Sequence, residues 1–180
     1  MLTMCRHRLD RFAGGVDCGI SESGNHLARA IIDIDELIGR EEEYAPGEHG
    51  YDDGETFSNK CLTHSEVRWD IIRREYRKNP DAKLGGPSVL WVKLAQEAGL
   101  TARNNASDVK VPVLLLQAGK DTIVEPEGQN DFRDRVNKAH PGFCRLELIE
   151  GASHEMLVES DLYRKRVFEF MLDFIRNHTH

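Results

Sequence analysis

The spacing of apolar and polar positions divides the chain into three stretches. Over residues 1–62 the pattern is irregular, rich in Gly, Asp and Glu, and it predicts one helix, running from His26 to Arg40. Asn25 caps that helix, Leu27, Ile31, Ile34 and Ile38 recur at helical spacing, and Gly39 lies near its end. The segment EEEYAPGEHGYDDGETFSN that follows reads as a long loop. Residues 63–107 predict two amphipathic helices. Thr63 or Ser65 caps the first, which carries Val67, Ile71, Ile72 and Tyr76 on one stripe and stops at Asn79-Pro80. After Gly85, Gly86 and Pro87, SVLWVKLAQEAG predicts the second, closed by Gly99.

Residues 108–180 change period again. VPVLLLQAG is a compact apolar run bounded by Pro112 and Gly119, which suits a strand buried on both faces of a parallel sheet. PEGQNDFRDRVNKAHP predicts a helix from Pro126 that ends before Pro141, and CRLELIEGA a second short strand. SDLYRKRVFEFMLDFIRNH is a final amphipathic helix, with the remaining histidines in a frayed tail. The order strand, helix, strand, helix predicts the α/β class with parallel strands and crossover helices. Two strands do not make a free-standing sheet of this class, so the sheet is expected to be completed by sequence outside these segments.

Composition narrows the functions. The chain has 180 residues, 39% hydrophobic and 31% charged, with a net charge of -7 and no long basic run, so it lacks the footprint of a nucleic-acid binder. No apolar stretch approaches the roughly 18–20 residues of a membrane span, and the N-terminus has no signal-peptide core. Cys5, Cys18, Cys61 and Cys144 are far apart with no CxxC pair, which predicts free thiols in a reducing compartment, the cytoplasm. Asp52, Asp53 and Glu55 lack calcium-loop spacing and read as solvated, and no cofactor or metal is expected.

Two residues carry candidate chemistry. In open α/β sheets, functional groups gather beyond the carboxyl ends of the strands. Asp121 follows the first strand and His154 the second, so adjacent parallel strands would bring both to one edge. A carboxylate on His Nδ1 fixes the tautomer and leaves Nε2 as a general base toward a hydroxyl. The competing readings are an Asp that shapes its own turn and a solvated loop histidine.

The segments VPVLLLQAGKDTIVEPEGQNDF and LELIEGASHEMLVESD resemble the C-terminal part of α/β-hydrolases, in the branch of monoacylglycerol lipases and bacterial lysophospholipases (the serine aminopeptidase-like group). The resemblance implies that Asp121 is the triad acid and His154 the triad histidine, with Glu155 helping to hold the histidine loop. Upstream, LTHS and LGGPS resemble the family's cap. They imply a helical lid over residues 63–107, residues 1–62 as the segment leading into it, and residues 108–180 as the hydrolase core. His64 reads as a capping or packing residue of that lid, and Trp69 and Trp91 as hydrophobic contacts within it, with lining of the acyl pocket as the alternative for Trp91. The implied substrate is a monoacyl lipid or other acyl ester, with peripheral contact at the inner face of the membrane.

The family's serine sits in a G-x-S-x-G elbow upstream of the cap. No such string occurs in this sequence. Ser21, in GISESG, is the nearest candidate and is one residue out of pattern; Ser153 and Ser65 are poorly placed. The oxyanion segment has no counterpart either, so the resemblance implies a truncated hydrolase without its nucleophile, inactive alone and open to self-association through an exposed sheet edge. A non-catalytic fragment or binding module, or another hydrolase of this fold such as a proline-type aminopeptidase, are the competing functions.

Overall fold

The computed structural model describes residues 39–57 and 62–178. The helix expected at residues 26–40, Ser21, Cys5, Cys18 and Cys61 lie outside them, apart from Gly39 and Arg40. The elements are α1 (Glu66–Lys78), α2 (Val89–Asn104), β1 (Val113–Ala118), α3 (Pro126–Ala139), β2 (Cys144–Ile149) and α4 (Asp161–His178). Residues 40–57 form turns, tied to the start of α2 by an antiparallel bridge between Tyr44 and Ser88.

Among the described residues the sheet is one parallel pair, β1 on β2, in register from Val113↔Cys144 to Ala118↔Ile149. The apolar run of β1 is explained by two covered faces. Val113 and Leu115 pack with Phe132 and Val136 of α3, together with Ala106 and Cys144. The alternate residues Leu116 and Ala118 pack with Ile149 and Val167 of α4. Strand side chains alternate between faces, so helices on both sides require apolar residues at every position. Val136 and Val167 are fully buried, each stabilising the fold by about 1.5–3 kcal/mol.

Helix starts follow their caps, but two expected patterns are corrected. Ser65 is the N-cap of α1, accepting from the Arg68 N–H at 3.3 Å, and Ser88 caps α2. Gly99 does not close α2, which continues to Asn104. The glycine takes no left-handed conformation, and a side chain there would meet open space, so nothing breaks the helix. On α1, Val67 is 71% exposed and Ile71 is also exposed, whereas Ile72 and Tyr76 of the same expected stripe are half-buried. Beside them the inward face carries Arg73, buried between the rings of Tyr51 (4.6 Å) and Trp69 (5.2 Å) and donating to the Asp52 carbonyl at 2.7 Å. A guanidinium stacked on aromatic faces can be buried where its stem and plane are both used. Asp53 and Glu55 are not merely solvated: Lys83 binds Asp53 at 2.8 Å, and Arg73 approaches Glu55 at 3.7 Å. The C-terminus is helical to His178, whose Nδ1 bonds the Phe174 carbonyl.

The loops after β1 and β2 approach so closely that only glycine fits. A Cβ on Gly119 would lie 2.8 Å from the Gly151 nitrogen and 2.9 Å from the Glu150 Cα, both backbone atoms that cannot swing away. Gly151 has φ of 78°, a left-handed conformation that disfavours other residues. Gly119→Ala is therefore expected to destabilise the chain by about 1–3 kcal/mol, read as a lower urea midpoint at an unchanged slope.

Candidate active site

The two strand-end loops meet as the register requires. The Gly119 N–H donates to the Ile149 carbonyl at 2.9 Å and the Lys120 N–H to the Ala152 carbonyl at 2.8 Å, so the chain after β1 is laced to the chain after β2. Across this lacing His154 Nδ1 lies 2.9 Å from Asp121 Oδ2 and 3.2 Å from Oδ1. The Asp121 side chain is 11% exposed and that of His154 26%. Asp121 Oδ1 also accepts the N–H groups of Ile123 (2.9 Å) and Val124 (3.0 Å), so the carboxylate shapes its own turn while holding the imidazole. One carboxylate thus meets both the imidazole and its own turn.

Burial pushes the Asp121 carboxyl up, but the hydrogen bonds from His154, Val124 and Ile123 outweigh it and hold the group below the usual Asp value. The hydrogen bond to Asp121 raises the His154 pKa against the opposing effect of burial, and the Asp121 and Glu155 charges add to the rise. The two shifts have opposite consequences with pH. The His154 contribution to stability is complete below the ordinary imidazole pKa and is lost as pH rises through its raised value. The Asp121 contribution is complete above the ordinary carboxyl value and is lost as pH falls through its lowered one. The pair stabilises the fold most between about pH 4 and pH 6.5.

A second cluster of serine, histidine and acid lies beside the first. His64 Nδ1 is 2.6 Å from Glu159 Oε1 and 3.4 Å from Ser153 Oγ. This is not a second triad. A triad places the hydroxyl on one ring nitrogen and the acid on the other, whereas here both approach Nδ1, and Ser153 is 2% exposed. The cluster joins residues 62–65, just before α1, to the histidine loop. The Glu155 N–H donates to the Leu62 carbonyl at 2.8 Å and the Thr63 hydroxyl to the Val158 carbonyl at 2.9 Å.

The sequence profile described as serine aminopeptidase, S33, matches residues 40–161, a stretch that contains Asp121 and His154. The chain belongs to this serine aminopeptidase family. It is 32% identical over 145 residues to a probable lysophospholipase L2 of Haemophilus influenzae, covering 81% of this chain and 44% of that protein. It is 31% identical over 136 residues to lysophospholipase L2 of Escherichia coli K12, covering 68% of this chain and 37% of that protein. The chain thus spans less than half the length of these curated relatives. A soluble variant of monoglyceride lipase from Saccharomyces cerevisiae, solved with a substrate analog, has a similar fold (TM-score 0.59, 19% identity, 87% of this chain and 48% of that one). The chain shares part of the α/β-hydrolase fold with that lipase.

Against this family background, the other expected residues fall in different places. Trp91 sits on the first turn of α2, is 43% exposed, and does not line the apolar groove between β1 and α4. Glu155 meets the Leu62 carbonyl through its backbone N–H, and its charge favours the His154 cation. Cys144 is a free thiol, buried against α3. No helix among the described residues is long and apolar enough to cross a membrane. Glu159 was missed by sequence reasoning. Followed by Ser160 and Asp161 at the start of α4, it reads as one more acid at a helix N-terminus, yet it is fully buried.

Proposed function

We propose that this chain supplies the base, the orienting acid and the lid of a serine hydrolase that cleaves a monoacyl lipid ester. The observation that carries the reading is the 2.9 Å contact between Asp121 Oδ2 and His154 Nδ1 at neighbouring strand ends. Asp121 holds the proton on Nδ1, and Nε2 is left to accept the proton of an attacking hydroxyl and return it to the leaving alcohol. The ester class is supported by the names of the relatives, lysophospholipase and monoglyceride lipase.

The nucleophile comes, on this reading, from outside the 180 residues, and the chain is a truncated hydrolase. Two observations support it: the sequence contains no G-x-S-x-G, and among the described residues an apolar groove of about 420 Å³, lined by Leu114, Leu116, Met156, Leu157, Met171 and Phe174, opens between β1 and α4. A groove and strand edge of this kind also favour self-association when unfilled. The exposed Leu90, Trp91 and Leu94 of α2 suit peripheral contact with a lipid surface, from the cytoplasmic side.

The reading frame upstream of Met1 is expected to encode a G-x-S-x-G string. The purified chain is expected to remain unlabelled by a fluorophosphonate probe. Labelling at Ser21, Ser153 or any other serine would overturn the assignment of the nucleophile to sequence outside it. In the complete protein, preference for an aminoacyl anilide over a monoacylglycerol would move the substrate class to peptides.

A further inference from the structure

A carboxylate with no solvent exposure is costly unless every lone pair has a donor. Glu159 meets that condition. Its Oε1 accepts the Ser153 N–H at 2.9 Å and the His64 Nδ1–H at 2.6 Å. Its Oε2 accepts the Ser160 N–H at 2.6 Å and the His64 N–H at 3.1 Å. Two of these donors bracket the histidine loop, and the other two belong to the LTHS segment that leads into α1. The Arg68 guanidinium of α1 seals the arrangement by donating to the Glu159 carbonyl at 2.7 Å and pairing with Asp161.

We propose that Glu159 is the positioning residue of the histidine loop, clamping both of its ends to residues 62–65 so that the His154 ring stays on Asp121. The proposal rests on His154 being the base, as above. His154 stands between two backbone anchors: the preceding Ser153 N–H is fixed by Glu159, and the following Glu155 N–H by the Leu62 carbonyl. Catalytic groups need placement to within about 0.5 Å, which packing and hydrogen bonds behind them supply. Here that support comes from the lid side of the molecule. Displacing residues 62–65 pulls on the base, and opening of the cap and alignment of the base are joined through one buried carboxylate.

The test uses the full chain as wild type, Glu159→Gln, His64→Ala and Asp121→Asn. It reads the imidazole titration of His154 by NMR at low temperature, beside the thermal melt. A glutamine offers one acceptor oxygen and turns its NH₂ toward two N–H donors, so the clamp opens. The expected result is that the His154 midpoint falls toward the ordinary imidazole value of about 6.5 in Glu159→Gln and part of the way in His64→Ala. Should Glu159→Gln not fold, His64→Ala carries the test, because it keeps the carboxylate and three backbone donors. An unchanged His154 midpoint in the folded variants, with only a lower melting temperature, would overturn the proposal and leave Glu159 a purely structural residue. Asp121→Asn separates the two claims: if it leaves the midpoint unmoved, the acid–base reading itself fails.

Discussion

Replacing Glu159 with alanine is expected to destabilise the chain by about 3–5 kcal/mol, more than most single substitutions in a domain of this size. The substitution removes the acceptor for three backbone N–H groups and one imidazole N–H. An orphaned buried donor costs about 1–3 kcal/mol, and water entering the vacated space recovers part of that. Against a total stability of about 5–15 kcal/mol, the loss is a large share. The pH dependence distinguishes this account from simple cavity formation. Burial pushes the Glu159 carboxyl up, but its hydrogen bonds hold it below the ordinary value of 4.5. Its contribution is therefore present above that value and is lost as pH falls through the lowered one. Urea midpoints of wild type and Glu159→Ala should lie far apart at neutral pH and converge in acid. Arg68→Ala is the contrasting case: its partner Asp161 is 88% exposed, and such pairs contribute about 0.2–1 kcal/mol.

The second large effect is an absence of catalysis. The 180-residue chain alone is expected to hydrolyse p-nitrophenyl butyrate no faster than buffer. Removing the serine of a Ser-His-Asp triad costs about 10⁶ in kcat, and what survives comes from the oxyanion donors and from substrate binding. On the proposed reading those donors, like the serine, come from outside the chain, so even that remainder is not expected. Ser153 does not substitute, because it is buried and approaches the His64 nitrogen already taken by Glu159. Ser65 is committed to capping α1. Turnover above buffer that disappears in Ser21→Ala would contradict this account and place the nucleophile within the chain.

The sheet and the candidate pair were legible in the sequence because each rests on a rule with little freedom. VPVLLLQAG could be read as a strand covered on both faces because unbroken apolar runs of that length have few other uses. Asp121 and His154 could be brought together without coordinates because parallel neighbours place their carboxyl ends at one edge. Residues 63–107 are less legible. The stripe Val67, Ile71, Ile72 and Tyr76 predicts α1, but its first two members face solvent and Arg73 turns inward, where two aromatic rings from separated positions accept it. Such a partner set is tertiary and leaves no period in the sequence. Gly99 misled for a related reason: a glycine inside a helix carries a modest penalty that the surrounding turns of α2 absorb. Glu159 was invisible because its four donors come from two segments about 90 residues apart, and a lone Glu before a helix carries no sign of burial.

The central claim is that Asp121 fixes the proton of His154 on Nδ1 and leaves Nε2 as the base. The most direct measurement is the ¹⁵N chemical-shift pair of the His154 ring, taken above its pKa in wild type and Asp121→Asn. The predicted result is a protonated Nδ1 and an unprotonated Nε2 in wild type, with the proton moving to Nε2 in Asp121→Asn, the tautomer that an unconstrained imidazole prefers. A wild-type His154 with its proton on Nε2 would contradict the account, because its unprotonated nitrogen would then face Asp121 and not a nucleophile.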